Sequence, residues 1–204
     1  MVTKIKKKII VEGDEDKTHL GLVHVITGEG QGKTTGAIGL AVRAFGSNLR
    51  VYIIQFLKSG PSGEKFTLRT HLPTLPIMQF GVDAVKERQQ KLDLFTDKGS
   101  KFVFNPDEEE REAAQLGFKH AKKIINSNDY DMVILDELNT VMDKGIIDVK
   151  DVLDLMNNHG KVELVFTGRD APQEVIEKAV YVSKIERIKH PWMKGIKARK
   201  GIEY

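Results

Sequence analysis

The stretch Thr27-Gly28-Glu29-Gly30-Gln31-Gly32-Lys33-Thr34-Thr35 decides the fold of this 204-residue chain. The apolar run at 22–27 before it predicts a buried strand, and the small and apolar residues of 33–45 predict a helix that ends at Gly46. Three alternate glycines between a strand and a helix let backbone N–H groups converge on an anion, and the helix N-terminus adds partial positive charge. The stretch is therefore typical of a phosphate-binding loop.

Two side chains of this loop suit a nucleoside triphosphate. Lys33 can neutralise phosphate oxygens, and the hydroxyl of Thr34 can bind Mg²⁺. The loop departs from the strict pattern G-x-x-x-x-G-K-[ST], because Thr27 stands where the first glycine belongs. The alternative is a glycine-rich turn without a ligand, which the Gly-Lys-Thr-Thr sequence in this strand–loop–helix context disfavours. The spacing predicts a variant cradle with an unusual triphosphate pose.

Strands and helices alternate along most of the remaining chain. Strands are predicted at 51–57, 77–80, 132–135, 162–167 and 181–188, and helices at 107–125, 149–156 and 172–178. This order predicts an α/β fold, a single-domain P-loop NTPase-like (RecA-like) structure with a mostly parallel sheet and helices on both faces. Ligands of such sheets bind at the carboxyl ends of the strands.

We expect one domain over residues 21–204, preceded by a charge-mixed arm at 1–20. The arm is either a solvated segment or a lid or dimer arm near the active site. Residues 59–105 interrupt the alternation with glycines, prolines and a polar stretch. A long irregular segment in a compact domain is usually functional or disordered, and we interpret this one as loop-rich and partly substrate-facing.

Composition narrows the class of protein. The chain contains no cysteine, which excludes disulfides, thiolate zinc sites, iron–sulfur clusters and a cysteine nucleophile. Its net charge of +3 is too small to indicate nucleic-acid binding by itself, and no apolar run approaches the roughly 20 residues of a membrane helix. We expect a cytoplasmic protein with neither nucleic acid nor membrane as a partner.

An acidic strand end forms the second motif. The apolar run 132–135 is followed directly by Asp136 and Glu137. In phosphate-loop proteins an acid at this place holds the metal or its water shell, which we assign to Asp136. Glu137 can orient water as a base or bind a ribose hydroxyl. The alternative is an ordinary solvated strand end.

Basic residues supply further candidates. Arg169 ends the strand at 162–167 and can bind phosphate as a bidentate fork, or be a surface arginine in a turn. Arg43 lies ten residues after Lys33 on the same helix, about 15 Å along its axis, and is either a ligand contact or part of a structural ion pair. The basic tail at 184–200 can fold over a triphosphate, bind nucleic acid or form a solvated surface.

No catalytic dyad is evident, and the six histidines do not fall at metal-ligand spacing. The residues alone therefore predict a Mg²⁺-nucleotide enzyme whose acceptor is unknown.

Together these motifs resemble the phosphate-loop type of corrinoid (cobalamin) adenosyltransferase over about residues 23–204. That family's loop also lacks the first consensus glycine. The terminal pattern KH-x(4)-G-x-KA-x-x-GI-[DE]-[YF] is not shared by generic phosphate-loop ATPases. The matching pieces are TGEGQGKTT at 27–35, VYIIQFLK at 51–58 with Gly63-Glu64, DMVILDELN at 131–139, Thr167-Gly168-Arg169 and KHPWMKGIKARKGIEY at 189–204.

The resemblance implies an unusual use of the loop. ATP is bound with its triphosphate reversed, and a Co(I) corrinoid attacks ribose C5′ so that inorganic triphosphate leaves. The corrinoid supplies the nucleophile, so the protein needs positioning and charge neutralisation rather than a catalytic dyad. The resemblance also implies Mg²⁺ or Mn²⁺, an external Co(II) reductase, a homodimer, and cobalamin, cobinamide or cobyrinic acid diamide as acceptor.

The predicted catalytic residues are Lys33, Thr34 and Glu137, and the predicted metal ligands are Thr34 and Asp136. The predicted ATP-binding residues are Gly28, Glu29, Gly30, Gln31, Gly32, Lys33, Thr34, Thr35, Arg43, Glu64, Glu137 and Arg169.

The family's aromatic pair F-x-W, which lies under the corrin, is matched by Phe102 and Phe104. Phenylalanine replaces the tryptophan, and residues 82–100 before the pair resemble an insertion. Thr140 also departs from the family, which usually has tyrosine there. Two other functions stay open at this point: a phosphate-loop ATPase or kinase acting on the γ-phosphate, and a non-catalytic nucleotide or corrinoid carrier.

Overall fold

The computed structural model describes residues 17–82 and 107–203, without the side chains of Trp192 and Met193. In this part of the chain six parallel strands form one sheet in the order β3-β2-β4-β5-β1-β6. The strands are β1 (Val23–Thr27), β2 (Val51–Phe56), β3 (Ile77–Phe80), β4 (Met132–Asp136), β5 (Glu163–Thr167) and β6 (Tyr181–Lys184). The helices are α1 (Lys33–Gly46), α2 (Gly63–His71), α3 (Glu108–Asn126), α4 (Leu138–Asp143), α5 (Val149–Asn158) and α6 (Gln173–Lys178), with 3₁₀ turns at Lys17–His19 and Pro191–Lys194.

The central strands are buried along their whole length. Every residue of β2, β4 and β5 is buried, as expected for parallel strands covered on both faces. The edge strand β6 is exposed at all four positions. The mostly parallel sheet with helices on both faces is the α/β architecture that the sequence predicts, and this prediction is confirmed.

Two apolar layers hold the sheet between the helices. Alternate residues of a strand point to opposite faces, so Ile53 and Ile54 belong to different layers. On one face, Ala37, Ala41 and Ala44 of α1 pack against the sheet at helical spacing. On the other face lie the apolar residues of α3, α4, α5 and α6.

Helix starts place polar groups at the ends of the strands. Asp107 caps α3 by accepting a hydrogen bond from the Glu110 N–H at 3.0 Å, which is the expected role of an aspartate at this position. In contrast, α1 begins after Gly32 with no side-chain cap. Its first N–H groups therefore lack a capping side chain, as an anion-binding helix terminus requires.

Several predicted boundaries need correction. The sequence predicted an irregular segment from residue 59, but α2 occupies Gly63–His71. Only Leu68 of this helix is buried, so its apolar periodicity is too weak to detect. The six-residue helix α4 was also not predicted, because it is shorter than two helical turns. Strand β6 ends at Lys184 rather than at residue 188.

The arm predicted at 1–20 lies outside the described residues up to position 16, as do residues 83–106. Over the ranges that the structure covers, no helix is long and apolar enough to cross a membrane.

Candidate active site

The carboxyl ends of four neighbouring strands bring the predicted site residues together. The phosphate loop follows β1, Lys58 follows β2, Glu137 follows β4 and Arg169 follows β5. These strand ends share one edge of the sheet. This is the edge at which open α/β sheets bind ligands.

Lys33 is held by the phosphate loop itself. Its Nζ donates hydrogen bonds to the carbonyl oxygens of Gly28 at 2.7 Å and Gly30 at 2.8 Å. Burial lowers the pKa of Lys33, and Arg169 acts in the same direction, whereas Glu137 and Glu29 oppose the change. The ammonium is thus preorganised inside the loop and within the field of the other predicted site residues.

The alternate glycines of the loop meet a second requirement besides phosphate binding. The segment after β6 lies against the loop, since the Gly30 N–H donates to the Ile185 carbonyl at 2.7 Å and the Ile185 N–H donates to the Thr27 carbonyl at 2.8 Å. A Cβ at Gly30 would lie 2.6 Å from Ile185 Cγ2, and one at Gly28 would lie 2.5 Å from the Ile185 carbonyl oxygen. Side chains are therefore excluded from these positions by the segment after β6.

Asp136 is the centre of a buried polar group. Its Oδ1 accepts hydrogen bonds from the hydroxyls of Thr34 at 2.9 Å and Thr167 at 2.5 Å. Its Oδ2 accepts from Gln55 Nε2 at 2.9 Å and from Lys58 Nζ at 2.7 Å. We call these five residues the Asp136 cluster. Burial alone would raise the pKa of Asp136. The Lys58 ammonium and the hydrogen bonds have the larger, opposite effect, so the pKa of this carboxyl lies below its ordinary value.

Lys58 contacts both predicted metal ligands. Besides its bond to Asp136, its Nζ lies 3.0 Å from Thr34 Oγ1. Burial lowers the pKa of Lys58, but the Asp136 carboxylate raises it above the ordinary value, and Glu137 and Glu64 act in the same direction. The structure thus also brings the predicted ATP-binding residue Glu64 into the electrostatic field of the cluster.

The donor set fits a divalent cation. Thr34 and Asp136 offer the hard oxygen atoms that Mg²⁺ prefers, and Mg²⁺ usually takes one or two protein ligands together with phosphates and waters. The ammonium of Lys58 touches one oxygen of each residue, so these oxygens converge on a position that already attracts a cation. Over residues 17–82 and 107–203, no group of three or more His, Asp or Glu residues is arranged to hold a metal.

Glu137 and Arg169 are joined through Thr140. The Thr140 hydroxyl donates to Glu137 Oε2 at 2.7 Å and accepts from the Arg169 N–H at 3.0 Å. The Arg169 guanidinium lies 3.5 Å from Glu29 Oε2 of the phosphate loop. Thr140 therefore connects Glu137 to Arg169, and it is a position at which the chain differs from the family that it resembles.

Three of the five non-glycine residues with a positive φ angle in the described part of the chain lie at this edge of the sheet. Leu57, Glu137 and Asp170 have positive φ angles of 54°, 68° and 47°, and they follow β2, β4 and β5. Such conformations cost about 1–3 kcal/mol each and are concentrated at functional sites. Glu137 belongs to the acidic strand end, so this strain coincides with the predicted site.

Not every predicted residue joins the site. Arg43 lies exposed in the last turn of α1, about 15 Å along the axis from Lys33, so within one chain the helix holds it away from the phosphate loop. Gln31 of the phosphate loop and Thr35 of the first turn of α1 are exposed, and their roles stay predictions. The predicted corrin contacts Phe102 and Phe104 lie outside the described residues.

Sequence reasoning missed Gln55, Lys58 and Thr167 as members of the site. A signal was present for Gln55, because an amide inside the otherwise apolar strand VYIIQF must find buried partners. Its Oε1 accepts from Gln79 Nε2 at 2.9 Å, and Gln79 Oε1 accepts from Lys65 Nζ at 2.6 Å. A chain of hydrogen bonds therefore runs from α2 to Asp136.

Comparison with known proteins gives a consistent result along the whole chain. The family model described as "ATP:corrinoid adenosyltransferase BtuR/CobO/CobP" matches residues 19–204. The corrinoid adenosyltransferase of Escherichia coli K12 is 29% identical over 205 residues, covering 98% of this chain and 94% of the relative. The corrinoid adenosyltransferase of a Sinorhizobium species is 30% identical over 204 residues, covering 98% and 86%.

Solved structures give weaker likenesses. Domain III of the replication initiation protein DnaA from Thermotoga maritima has a TM-score of 0.39 at 13% identity, covering 83% of this chain and 57% of that chain. The cytoplasmic domain of the type VII secretion ATPase EccC from Thermomonospora curvata has a TM-score of 0.40 at 15% identity, covering 87% and 21%. The sheet order and the phosphate loop define the fold of this chain.

Proposed function

The chain belongs to the ATP:corrinoid adenosyltransferase family BtuR/CobO/CobP, and on this premise we propose how its own residues perform the family's reaction. The enzyme transfers the 5′-deoxyadenosyl group of ATP to the Co(I) centre of a corrinoid. The electron pair of Co(I) forms the cobalt–carbon bond to C5′, the C5′–O bond breaks, and triphosphate leaves with the bonding pair. The observation that carries this function is the family match over residues 19–204.

The main task of the protein is to neutralise the leaving group. Triphosphate gains negative charge as the C5′–O bond breaks, and preorganised positive groups stabilise that charge without reorganising at the moment of reaction. Lys33 meets this requirement, because the loop carbonyls already fix its ammonium. Arg169 is the second cation, supported by its position 3.5 Å from the loop residue Glu29.

Thr34 and Asp136 hold the divalent cation, Mg²⁺ or Mn²⁺, together with the triphosphate. When bound, that ion supplies further positive charge to the leaving group. The support is the convergence of both oxygens on the Lys58 ammonium. Thr167 and Gln55 orient the Asp136 carboxylate by occupying its remaining acceptor positions.

Glu137 binds the nucleoside end of ATP. Its carboxylate is oriented by the Thr140 hydroxyl, and its backbone N–H donates to Thr167 Oγ1 at 3.0 Å. Glu64 contributes negative charge near Lys58. Arg43 remains a predicted ATP contact. For this contact to form, ATP or a folded-back loop must reach the last turn of α1.

The partners follow from the chemistry. The chain has no cysteine, and an external reductase delivers the Co(I) state, as the resemblance implies. Phe102 and Phe104 contact the corrin, and the enzyme works as a cytoplasmic homodimer, as the resemblance implies.

An anaerobic assay with chemically reduced cob(I)alamin, Mg²⁺ and ATP tests the function. We expect a light-sensitive adenosylated corrinoid and one equivalent of triphosphate. ADP and phosphate without a spectral change would instead identify a phosphate-loop ATPase, and tight binding without product would identify a carrier. The curated relatives do not favour either alternative.

A further inference from the structure

Lys58 occupies the position between the two proposed metal ligands. Its Nζ lies 2.7 Å from Asp136 Oδ2 and 3.0 Å from Thr34 Oγ1. An ammonium at these distances satisfies the same oxygen atoms that a divalent cation would take. The two cations therefore compete for one position, because like charges so close together in a partly buried site repel strongly.

The backbone around Lys58 is built to hold it there. Leu57 has a φ angle of +54°, and its N–H donates to the Phe80 carbonyl at 2.8 Å. A Cβ at Gly81 would lie only 2.5 Å from the backbone nitrogen of Lys58, so a glycine is needed for β3 to end beside it. A strained residue before Lys58 and a close contact next to it indicate a position fixed for function.

Lys58 is also the member of the Asp136 cluster that can leave. Gln55 and Thr167 are fully buried. The row of hydrogen bonds from Lys65 through Gln79 holds the Gln55 amide with its NH₂ group toward Asp136. A lysine donates only, so Lys65 sets the direction of both amides. The Lys58 side chain, by contrast, is 29% exposed and can swing toward solvent.

We propose that Lys58 is the resident cation of the metal position when no nucleotide is bound. It balances the buried charge of Asp136 and keeps free divalent ions out. It is displaced when a metal ion arrives already bound to the triphosphate, whose negative charge then attracts the released ammonium. The inference rests on the metal site under the proposed function, and it identifies the metal–ATP complex, not the free ion, as the form that the site accepts.

Binding of Mn²⁺ without nucleotide, followed by electron paramagnetic resonance, tests the inference. The test variant is Lys58→Gln, which keeps a hydrogen-bond donor but carries no charge. We expect it to bind Mn²⁺ about tenfold or more tightly than the unsubstituted chain. Lys58→Arg keeps the charge and should bind Mn²⁺ as weakly as the unsubstituted chain. Lys144→Met is the matched control, because this ion-paired lysine is also 29% exposed.

Thermal unfolding gives a second readout. Loss of the Lys58 charge leaves Asp136 buried without its ion-pair partner, which is strongly destabilising. Lys58→Met should therefore gain several degrees of melting temperature on addition of Mn²⁺ without ATP, whereas Lys144→Met should gain none. This readout also serves if Lys58→Gln is unfolded in the absence of metal.

Unchanged nucleotide-free Mn²⁺ affinity and melting behaviour in Lys58→Gln and Lys58→Met would overturn the inference. Binding of Mn²⁺ together with ATP separates this outcome from failure of the metal site. If Thr34→Val weakens Mn²⁺–ATP binding, the site stands and only the role of Lys58 is wrong. If Thr34→Val binds Mn²⁺–ATP as tightly as the unsubstituted chain, the metal site fails and the inference fails with it, although adenosyl transfer itself remains testable by its products.

Discussion

The Thr34 hydroxyl donates a 2.9 Å hydrogen bond to Oδ1 of Asp136, although the two residues are 102 positions apart. The bond ties the first turn of α1 to the carboxyl end of β4. It leaves the lone pairs of Thr34 Oγ1 on the side where the Lys58 ammonium lies. The hydroxyl therefore can donate to the carboxylate and accept a cation at the same time.

Thr34→Val keeps the shape of this side chain but removes the hydroxyl. We expect Mn²⁺–ATP affinity and adenosylation to fall by about 10- to 100-fold, the usual effect of losing a metal-site partner. Thr34→Ser, which retains the hydroxyl, should stay within a few-fold of the unsubstituted enzyme. A loss in Thr34→Ser as large as that in Thr34→Val would contradict a specific role of the hydroxyl.

Lys33→Ala removes the ammonium that the phosphate loop holds in place. We expect ATP binding or turnover to fall by about 10²- to 10³-fold, as for the loss of one preorganised group at a developing charge. Titration calorimetry with ATP and the adenosylation rate measure the effect. Lys161→Ala is the control, since Lys161 is exposed just before β5 at the opposite end of the sheet. Near-normal activity of Lys33→Ala would contradict the prediction that this loop binds the phosphates of ATP.

A glycine at position 30 serves both phosphate binding and close packing of the segment after β6. The stability of Gly30→Ala tests the packing requirement. Its Cβ would lie 2.6 Å from Ile185 Cγ2 and 2.8 Å from the Glu186 carbonyl oxygen, and overpacking of this kind costs about 1–3 kcal/mol. Gly36→Ala meets nothing within 4 Å in α1 and should stabilise the fold by about 0.5–1 kcal/mol. Denaturant unfolding of both variants measures the difference. A Gly30→Ala protein as stable as Gly36→Ala would mean that the segment after β6 does not press on the loop.

Lys65→Met should act on the metal site from a distance, as the loss of a positioning residue. Without its donor, the Gln79 and Gln55 amides can reverse, and Asp136 Oδ2 loses one of its two hydrogen bonds. We expect Mn²⁺–ATP affinity to fall about tenfold, with rescue by Lys65→Arg. Arg69→Met, in the last turn of the same helix and exposed, should leave the affinity unchanged. A purely structural role would lower stability without moving the affinity.

Asp131 makes stability depend on pH at the opposite end of β4. Burial raises the pKa of its carboxyl, but hydrogen bonds from Arg50 and Lys17 outweigh burial and lower the pKa to about 2. Because the folded pKa lies below the ordinary value of 3.8, the stabilisation is complete above about pH 4 and is lost as the pH falls toward 2. We expect Asp131→Asn to remove about 2 kcal/mol of this dependence. Identical unfolding curves for both proteins between pH 4 and 2 would contradict this.

The sequence did not predict features of the site that depend on partners far along the chain. Helix α2 buries only Leu68, so its sequence has no apolar stripe from which the helix could be predicted. The role of Lys58 depends on Asp136, 78 positions away, and nothing near Lys58 in the sequence reveals that partner. The role of Arg43 stays a prediction, because a fixed rise per residue holds it far from Lys33 although both lie on one helix.

By itself, the sequence determined the phosphate loop, the acidic end of β4, the parallel α/β architecture and the family. The first three are contained in contiguous residues or in a short repeating pattern of apolar side chains, and local physics is enough to interpret them, whereas the family followed from the resemblance of the motifs. Only the tertiary structure decided that Thr34, Lys58, Gln55 and Thr167 all converge on Asp136. Parallel strands that are distant in sequence end side by side at one edge of the sheet, and a buried carboxylate there must collect its donors from whichever strands end beside it.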